Sequence, residues 1–198
     1  MLICGIDEAG RGPLAGPVVA SAVIIDENCL IEGITDSKLL TEKQRDEFYQ
    51  QILDSCISYS VSIIPSSVID KVNILRATMM AMEESIDRLS RKPDKYFIDG
   101  NYFQLDNGRE SAFNFETVVK GDSKVFAISC ASVIAKVTRD RLMREMHDKY
   151  PLYNFTSHKG YATREHISNI REHGLCDIHR TTFCRRIFEE NYRFDFDD

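Results

Sequence analysis

The chain has 198 residues, 43% of them hydrophobic and 28% charged, with a net charge of −6. Those figures fit one globular domain with a full core and exclude disordered, repetitive and low-complexity character. The charge is uneven: residues 120–186 carry 13 basic side chains against 7 acidic ones, which leaves two readings open, a local phosphate-facing surface inside an acidic protein or a merely solvated helix face. Leu2–Asp7 is expected as a short buried strand, and Pro17–Asp26, rich in Val and Ile, as a second. The glycine-rich loop between them is too short for a helical crossover, so the two strands are expected to pair antiparallel. Thr41-Glu42-Lys43-Gln44 is a capping box that opens a helix running to about Ser55. Ile57–Ile64 alternates as a third strand, and Ser66–Ser90 follows a helical pattern with Leu75, Met79, Met82, Ile86 and Leu89 in step. Tyr96–Gly100 and Asn114–Lys120 read as two more strands. Ser123–Lys149 reads as a long helix whose small residues, Ala127, Ala131 and Ala135 among them, permit close packing. Thr163–Glu172 and Thr182–Glu190 complete the series as short helices. The sum is an α/β fold, a mixed five-stranded sheet flanked by helices, in a single domain over 1–198 with 151–198 as a helical C-terminal extension.

The first residues, Met1-Leu2-Ile3-Cys4-Gly5, lack a basic region, and Asp7 and Glu8 interrupt the apolar run, so no signal peptide is expected. No apolar stretch approaches the roughly 20 residues of a membrane span. The six cysteines show no CxxC spacing and read as reduced thiols of a cytoplasmic protein. Nothing in the sequence calls for more than a monomer.

The chemistry concentrates at strand ends. Asp7 (with Glu8 next to it) and Asp99 close expected strands, and Asp122 lies just past another. Functional groups of open α/β sheets gather there. Four carboxylates at one sheet edge repel unless a cation neutralises them, and oxygen-only ligation suits Mg²⁺ or Mn²⁺. A pair of such ions supports phosphodiester hydrolysis. Taken singly, each acid has a plainer reading: a helix N-cap for Asp122, a turn residue for Asp99, a solvent edge for Asp7 and Glu8. Their recurrence at three strand ends favours a shared metal site. The loop Gly10-Arg11-Gly12-Pro13-Leu14-Ala15-Gly16 has Ala where a dinucleotide fingerprint needs its last glycine, and it lacks the Gly-Lys-Ser/Thr of a P-loop. What remains is a backbone that approaches a ligand closely, with Arg11 available for a phosphate.

These segments resemble the bacterial ribonuclease HII, or type 2 ribonuclease H, family. The resemblance rests on Gly5-Ile6-Asp7-Glu8-Ala9-Gly10-Arg11-Gly12-Pro13, Asp36-Ser37-Lys38, Ile98-Asp99-Gly100-Asn101, Val119-Lys120-Gly121-Asp122-Ser123, residues 132–140 and His158-Lys159-Gly160-Tyr161, with His179-Arg180 as a weaker match. It implies a ribonuclease H-like fold and endonucleolytic cleavage of RNA in RNA–DNA hybrids. It further implies cutting 5′ of a single ribonucleotide in duplex DNA, with 5′-phosphate and 3′-hydroxyl ends, as in ribonucleotide excision repair. Asp7, Glu8, Asp99 and Asp122 take the places of the family's four metal-binding acids, for two Mg²⁺ or Mn²⁺ ions. Gly10, Arg11 and Gly12 take the place of the loop that reads the ribose 2′-hydroxyl, and Tyr161 that of the tyrosine beside the junction sugar. Lys38, Lys120, Lys159 and Arg180 are candidate phosphate contacts.

Asp140 also falls in a shared segment. One unbroken helix would put it about 27 Å from Asp122, so it is expected to be structural, paired with Arg144 one turn on. His173-x-x-Cys176-x-x-His179 has the look of half a zinc site, but the second ligand pair is missing and Gly174 reads as a helix cap.

Overall fold

The computed structural model describes residues 1–34, 37 and 40–189, and only the backbone of residues 106 and 107. Asp36, Lys38 and most of the acidic tail lie outside the described residues. Strands β1 (Leu2–Ala9), β2 (Val18–Asp26), β3 (Ser58–Ile64), β4 (Lys95–Asp99) and β5 (Phe115–Val118) form one sheet in the order β3-β2-β1-β4-β5. β2 is antiparallel to β1 and to β3; β4 runs parallel to β1, and β5 to β4. This is the expected mixed five-stranded sheet.

Helices α1 (Glu42–Ser55) and α4 (Phe126–Lys149) cover one face, and α2 (Ser66–Val72) and α3 (Ile74–Asp87) the other. Period-two alternation divides the strands between two cores. Cys4, Ile6, Ala20, Ile24 and Ile98 pack toward α3, whereas Val23 and Ile25 pack with Ala127, Cys130 and Ile134 of α4. α4 approaches β1 so closely that a Cβ on Gly5 would overlap the backbone of Ala127 and Ile128. The small residues read from the sequence are what allow this contact. A third core, built from Leu14, Met143, Tyr153, Phe155, Ile167 and Ile170, joins the loop after β1 to α5 (Phe155–His158), α6 (Arg164–His173) and α7 (Thr181–Cys184).

Three boundaries differ from expectation. The helix expected over Ser66–Ser90 breaks at Asn73, whose φ of 71° is left-handed. Asn tolerates that conformation, and its side chain accepts the Arg76 amide at 3.0 Å to cap α3. The long helix starts at Phe126, after a 3₁₀ turn over Gly121–Ser123, so Asp122 is not its N-cap. The last expected helix is a short α-turn followed by a 3₁₀ turn over Arg185–Phe188. The capping box forms as read: Thr41 Oγ1 accepts the Gln44 amide, and Gln44 Oε1 accepts that of Thr41.

Candidate active site

β1 and β4 are parallel neighbours, with Ile6 opposite Ile98. The next residues, Asp7 and Asp99, therefore leave adjacent strand ends side by side. Ile6 and Ile98 point toward α3, so alternation turns Asp7 and Asp99 toward α4. Asp7 is buried, and the Ser132 hydroxyl on α4 reaches it; the Glu8 amide donates to Asp7 Oδ1 at 2.7 Å. Asp99 accepts the Gly121 amide at 2.6 Å, which ties the end of β4 to the turn that carries Asp122. Glu8 faces Arg11, with 3.2 Å between Oε1 and Nη1.

Burial drives the Asp7 carboxyl well above its ordinary value, and the neighbouring Glu8 and Asp99 charges add to the effect; the Ser132 hydroxyl opposes it. Burial also raises Glu8, against the pull of Arg11. A buried, repelling oxygen-donor set is what a hard divalent cation relieves, so these residues fit such an ion. Among the described residues no three His, Cys, Asp or Glu side chains stand so as to hold an ion by themselves, so an ion here needs further oxygens from water or substrate.

The acids open into a cleft of about 480 Å³ whose other wall is Gly10, Arg11, Gly12 and Tyr161, with Ser132 and Lys136 of α4 behind. The Tyr161 ring stands over Gly12, where a Cβ would lie 3.9 Å from it. A hollow of about 640 Å³ near Tyr102 is larger, but among the described residues no carboxylate lines it.

A model of the ribonuclease HII family matches residues 4–189. The chain belongs to the ribonuclease HII family. The ribonuclease HII of Caldicellulosiruptor bescii is 48% identical over 185 residues, which cover 93% of this chain and 87% of that one. Ribonuclease H2 from Pyrococcus horikoshii superposes with a TM-score of 0.77 at 30% identity, covering 94% of this chain and 97% of that one. Ribonuclease HII in a complex with PCNA from Archaeoglobus fulgidus gives 0.77 at 26% identity, covering 91% and 93%. The protein is thus a ribonuclease H hydrolase with a ribonuclease H-like fold, of a family that cleaves the RNA of RNA–DNA hybrids.

Within this ribonuclease HII fold the expected residues divide. Asp7, Glu8, Asp99, Gly10, Arg11, Gly12 and Tyr161 share the cleft. Asp122 is buried in the turn beside them and does not line it. Lys120 is exposed with a left-handed φ of 54°, and also lies off the cleft. Lys159 donates its ammonium to the Thr156 carbonyl, and burial lowers it from the usual lysine range. Arg180 corrects its reading. It is fully buried, and its guanidinium binds the carbonyls of Gly10, Arg11 and Gly16, so no phosphate reaches it. The physical reason is that the C-terminal layer packs beneath the glycine loop, leaving Arg180 inside.

Asp140 differs as well. Lys136 donates to it at 2.8 Å and Arg45 stands at 3.9 Å, while Arg144, its expected partner, pairs with Glu42 of α1. α1 packs against α4 and draws Arg144 away. Cys176 Sγ lies 3.1 Å from His179 Nδ1, whereas His173 packs edge-on against Tyr153. Ser132, Lys136 and Arg45 line the cleft and were not singled out from the sequence. The four-residue step from Ser132 to Lys136 to Asp140 marks one helix face and was the available signal.

Proposed function

We propose that this protein is a divalent-metal-dependent endonuclease that cuts 5′ of single ribonucleotides in duplex DNA, as well as within longer hybrids, leaving 5′-phosphate and 3′-hydroxyl ends. The observation that carries the reading is the sharing of one cleft by three carboxylates and the Gly10-Arg11-Gly12 loop. Chemistry and sugar recognition would then act on the same nucleotide. Asp7, Glu8 and Asp99 would hold Mg²⁺ or Mn²⁺, with Asp122 beside them. When bound, such ions supply activation of a water and stabilisation of the leaving oxygen.

The chain's own residues position the substrate. Backbone amides of the glycine loop meet the 2′-hydroxyl, which alone separates RNA from DNA at a given site. Tyr161 lends its ring to the sugar beside Gly12. Arg11, half exposed, spans from Glu8 toward a phosphate. Lys136 and Arg45 hold Asp140 and keep positive charge along the cleft wall. The partners are RNA–DNA hybrid and ribonucleotide-containing duplex DNA. Among the described residues no helix is long and apolar enough to cross a membrane. We read the enzyme as a monomer, and its six free cysteines fit the reducing cytoplasm.

The test is cleavage of a DNA duplex with one embedded ribonucleotide, with Mg²⁺, Mn²⁺ or EDTA, followed by product-end mapping. Asp99→Asn should lower turnover by at least about 10³-fold while duplex affinity changes little. Wild-type turnover of that variant in Mg²⁺, or a cut 3′ of the ribonucleotide, refutes the assignment.

A further inference from the structure

Two arginines lie beneath the glycine loop, Arg139 at 1% exposure and Arg180 at 0%. Among the described residues neither forms a salt bridge. The nearest acids are engaged elsewhere: Asp140 by Lys136, and Asp70 by the amides and hydroxyls of Thr181 and Thr182. All guanidinium donation goes to backbone carbonyls. Arg139 donates to Pro17, Ala15 and Lys159, each at 3.0 Å. Arg180 donates to Gly10 at 2.6 Å, to Arg11 at 2.8 Å, and to Gly16 at 2.9 and 3.1 Å.

A trans peptide is planar, so its N–H points opposite to its C=O. Among the described residues no peptide is cis. The carbonyls of Gly10 and Arg11 turn inward to Arg180, so the amides of Arg11 and Gly12, in the same two peptide planes, turn outward. Outward is the cleft that holds Asp7, Asp99 and Tyr161. Among the described residues neither amide has an acceptor within the chain. A guanidinium on the carbonyl side also polarises each peptide and strengthens its N–H as a donor. Arg139 packs against Gly10, which has a φ of 95° and no room for a Cβ, and so holds the base of the same loop.

We propose that Arg180 is a positioning residue that determines sugar specificity: its fork fixes two peptide planes so that the Arg11 and Gly12 amides face the cleft as a paired donor site for a ribose 2′-oxygen. The inference rests on the ribonuclease reading above. Burial, with the like charge of Arg139 adding to it, lowers Arg180 to about 9, still above neutral pH, so the fork remains charged while the enzyme works.

The experiment measures affinities for two duplexes that differ by a single 2′-hydroxyl, one all-DNA and one with a single ribonucleotide, in metal-free buffer. The proteins are the full chain, Arg180→Lys and Arg180→Ala. Lysine keeps the charge but cannot span both carbonyls. Each variant's melting curve is recorded, together with the ¹⁵N–¹H shifts of Arg11 and Gly12. For folded Arg180→Lys the preference for the ribonucleotide should fall about tenfold or more, with all-DNA affinity within about twofold of the parent and both amides shifted. Methylguanidinium, against equal NaCl, should restore part of the preference in Arg180→Ala. A folded variant that keeps its preference, or loses affinity equally for both duplexes, overturns the proposal. So does failure of both variants to fold even with methylguanidinium, which would leave Arg180 a core residue only. A parent chain with no preference would instead refute the proposed recognition of a single ribonucleotide in duplex DNA.

Discussion

Gly5→Ala tests the closest contact in the fold. A Cβ on Gly5 falls under 3.0 Å from the Ala127 carbonyl and the Ile128 amide, where atoms of α4 cannot swing aside as a side chain would. Ordinary carbon contacts begin near 3.5 Å and the new Cβ would lie 2.0 Å from Ala127, so α4 must withdraw from β1 by at least roughly 1 Å, and by about 1.5 Å for a fully relaxed contact. The backbone at Gly5 is not left-handed, so the alanine itself is unstrained. Loss of unfolded-state entropy would favour it by about 0.4–1 kcal/mol. Any destabilisation must therefore come from the contact, and overpacking against rigid backbone places it near the upper end of the usual range, about 3 kcal/mol. At about 2–4 °C per kcal/mol for a chain of this size, melting should fall by roughly 6–12 °C. Ser132 and Lys136 ride on α4 one and two turns beyond Ile128 and line the cleft. A shift near 1 Å should lower kcat by about 10²-fold at a temperature where the variant is folded. Calorimetry and single-turnover cleavage are the assays. A variant that melts within about 2 °C of the parent and keeps its kcat refutes the packing argument.

Two further outcomes follow from the buried charges. Folding raises Asp7 above its unfolded value, so its contribution to stability is present below about pH 3.8 and is lost as pH rises through the folded pKa. At neutral pH the ionised group is a burden, so metal-free Asp7→Asn should melt higher than the parent, and Mg²⁺ should raise melting of the parent but not of the variant. Scanning fluorimetry with and without Mg²⁺ decides; a variant that melts lower without metal contradicts the account. The second concerns His166 and His179, depressed to about 3 and about 4 by burial, with neighbouring histidines adding to the effect. Their rings form one chain: the Cys176 amide donates to His179 Nδ1, His179 Nε2 meets His166 Nε2, and His166 Nδ1 donates to the Tyr161 carbonyl. Each ring is neutral in that chain. Stability is then fully present above about pH 6.5 and falls toward pH 4, each histidine adding a slope of about 1.36 kcal/mol per pH unit. Urea titrations of the parent and His166→Gln from pH 7 to 4.5 should show a shallower slope in the variant; equal slopes would rule the chain out.

Much of this molecule was legible locally. Alternation in β3, the capping box at Thr41 and the heptad-like spacing of α3 are short-range signals, and each appears where it was read. So does the clustering of acids at strand ends, because a parallel pairing of β1 and β4 places residues that follow equivalent positions side by side. The break at Asn73 was less legible, since one residue outweighed an otherwise continuous apolar stripe.

The sequence by itself determined the elements, the acid-bearing ends and the glycine loop, since these depend on neighbours three or four residues away. Only the tertiary structure decided which charges are used for binding and which for building. Arg11 and Arg180 are alike in composition, yet one is half exposed at the cleft and the other is sealed beneath it, 169 residues further along the chain. Asp140 likewise met Lys136 and Arg45 rather than Arg144, because a second helix competed for the partner. A guanidinium's role follows from what surrounds it, and surroundings assembled from distant segments leave no local pattern to read.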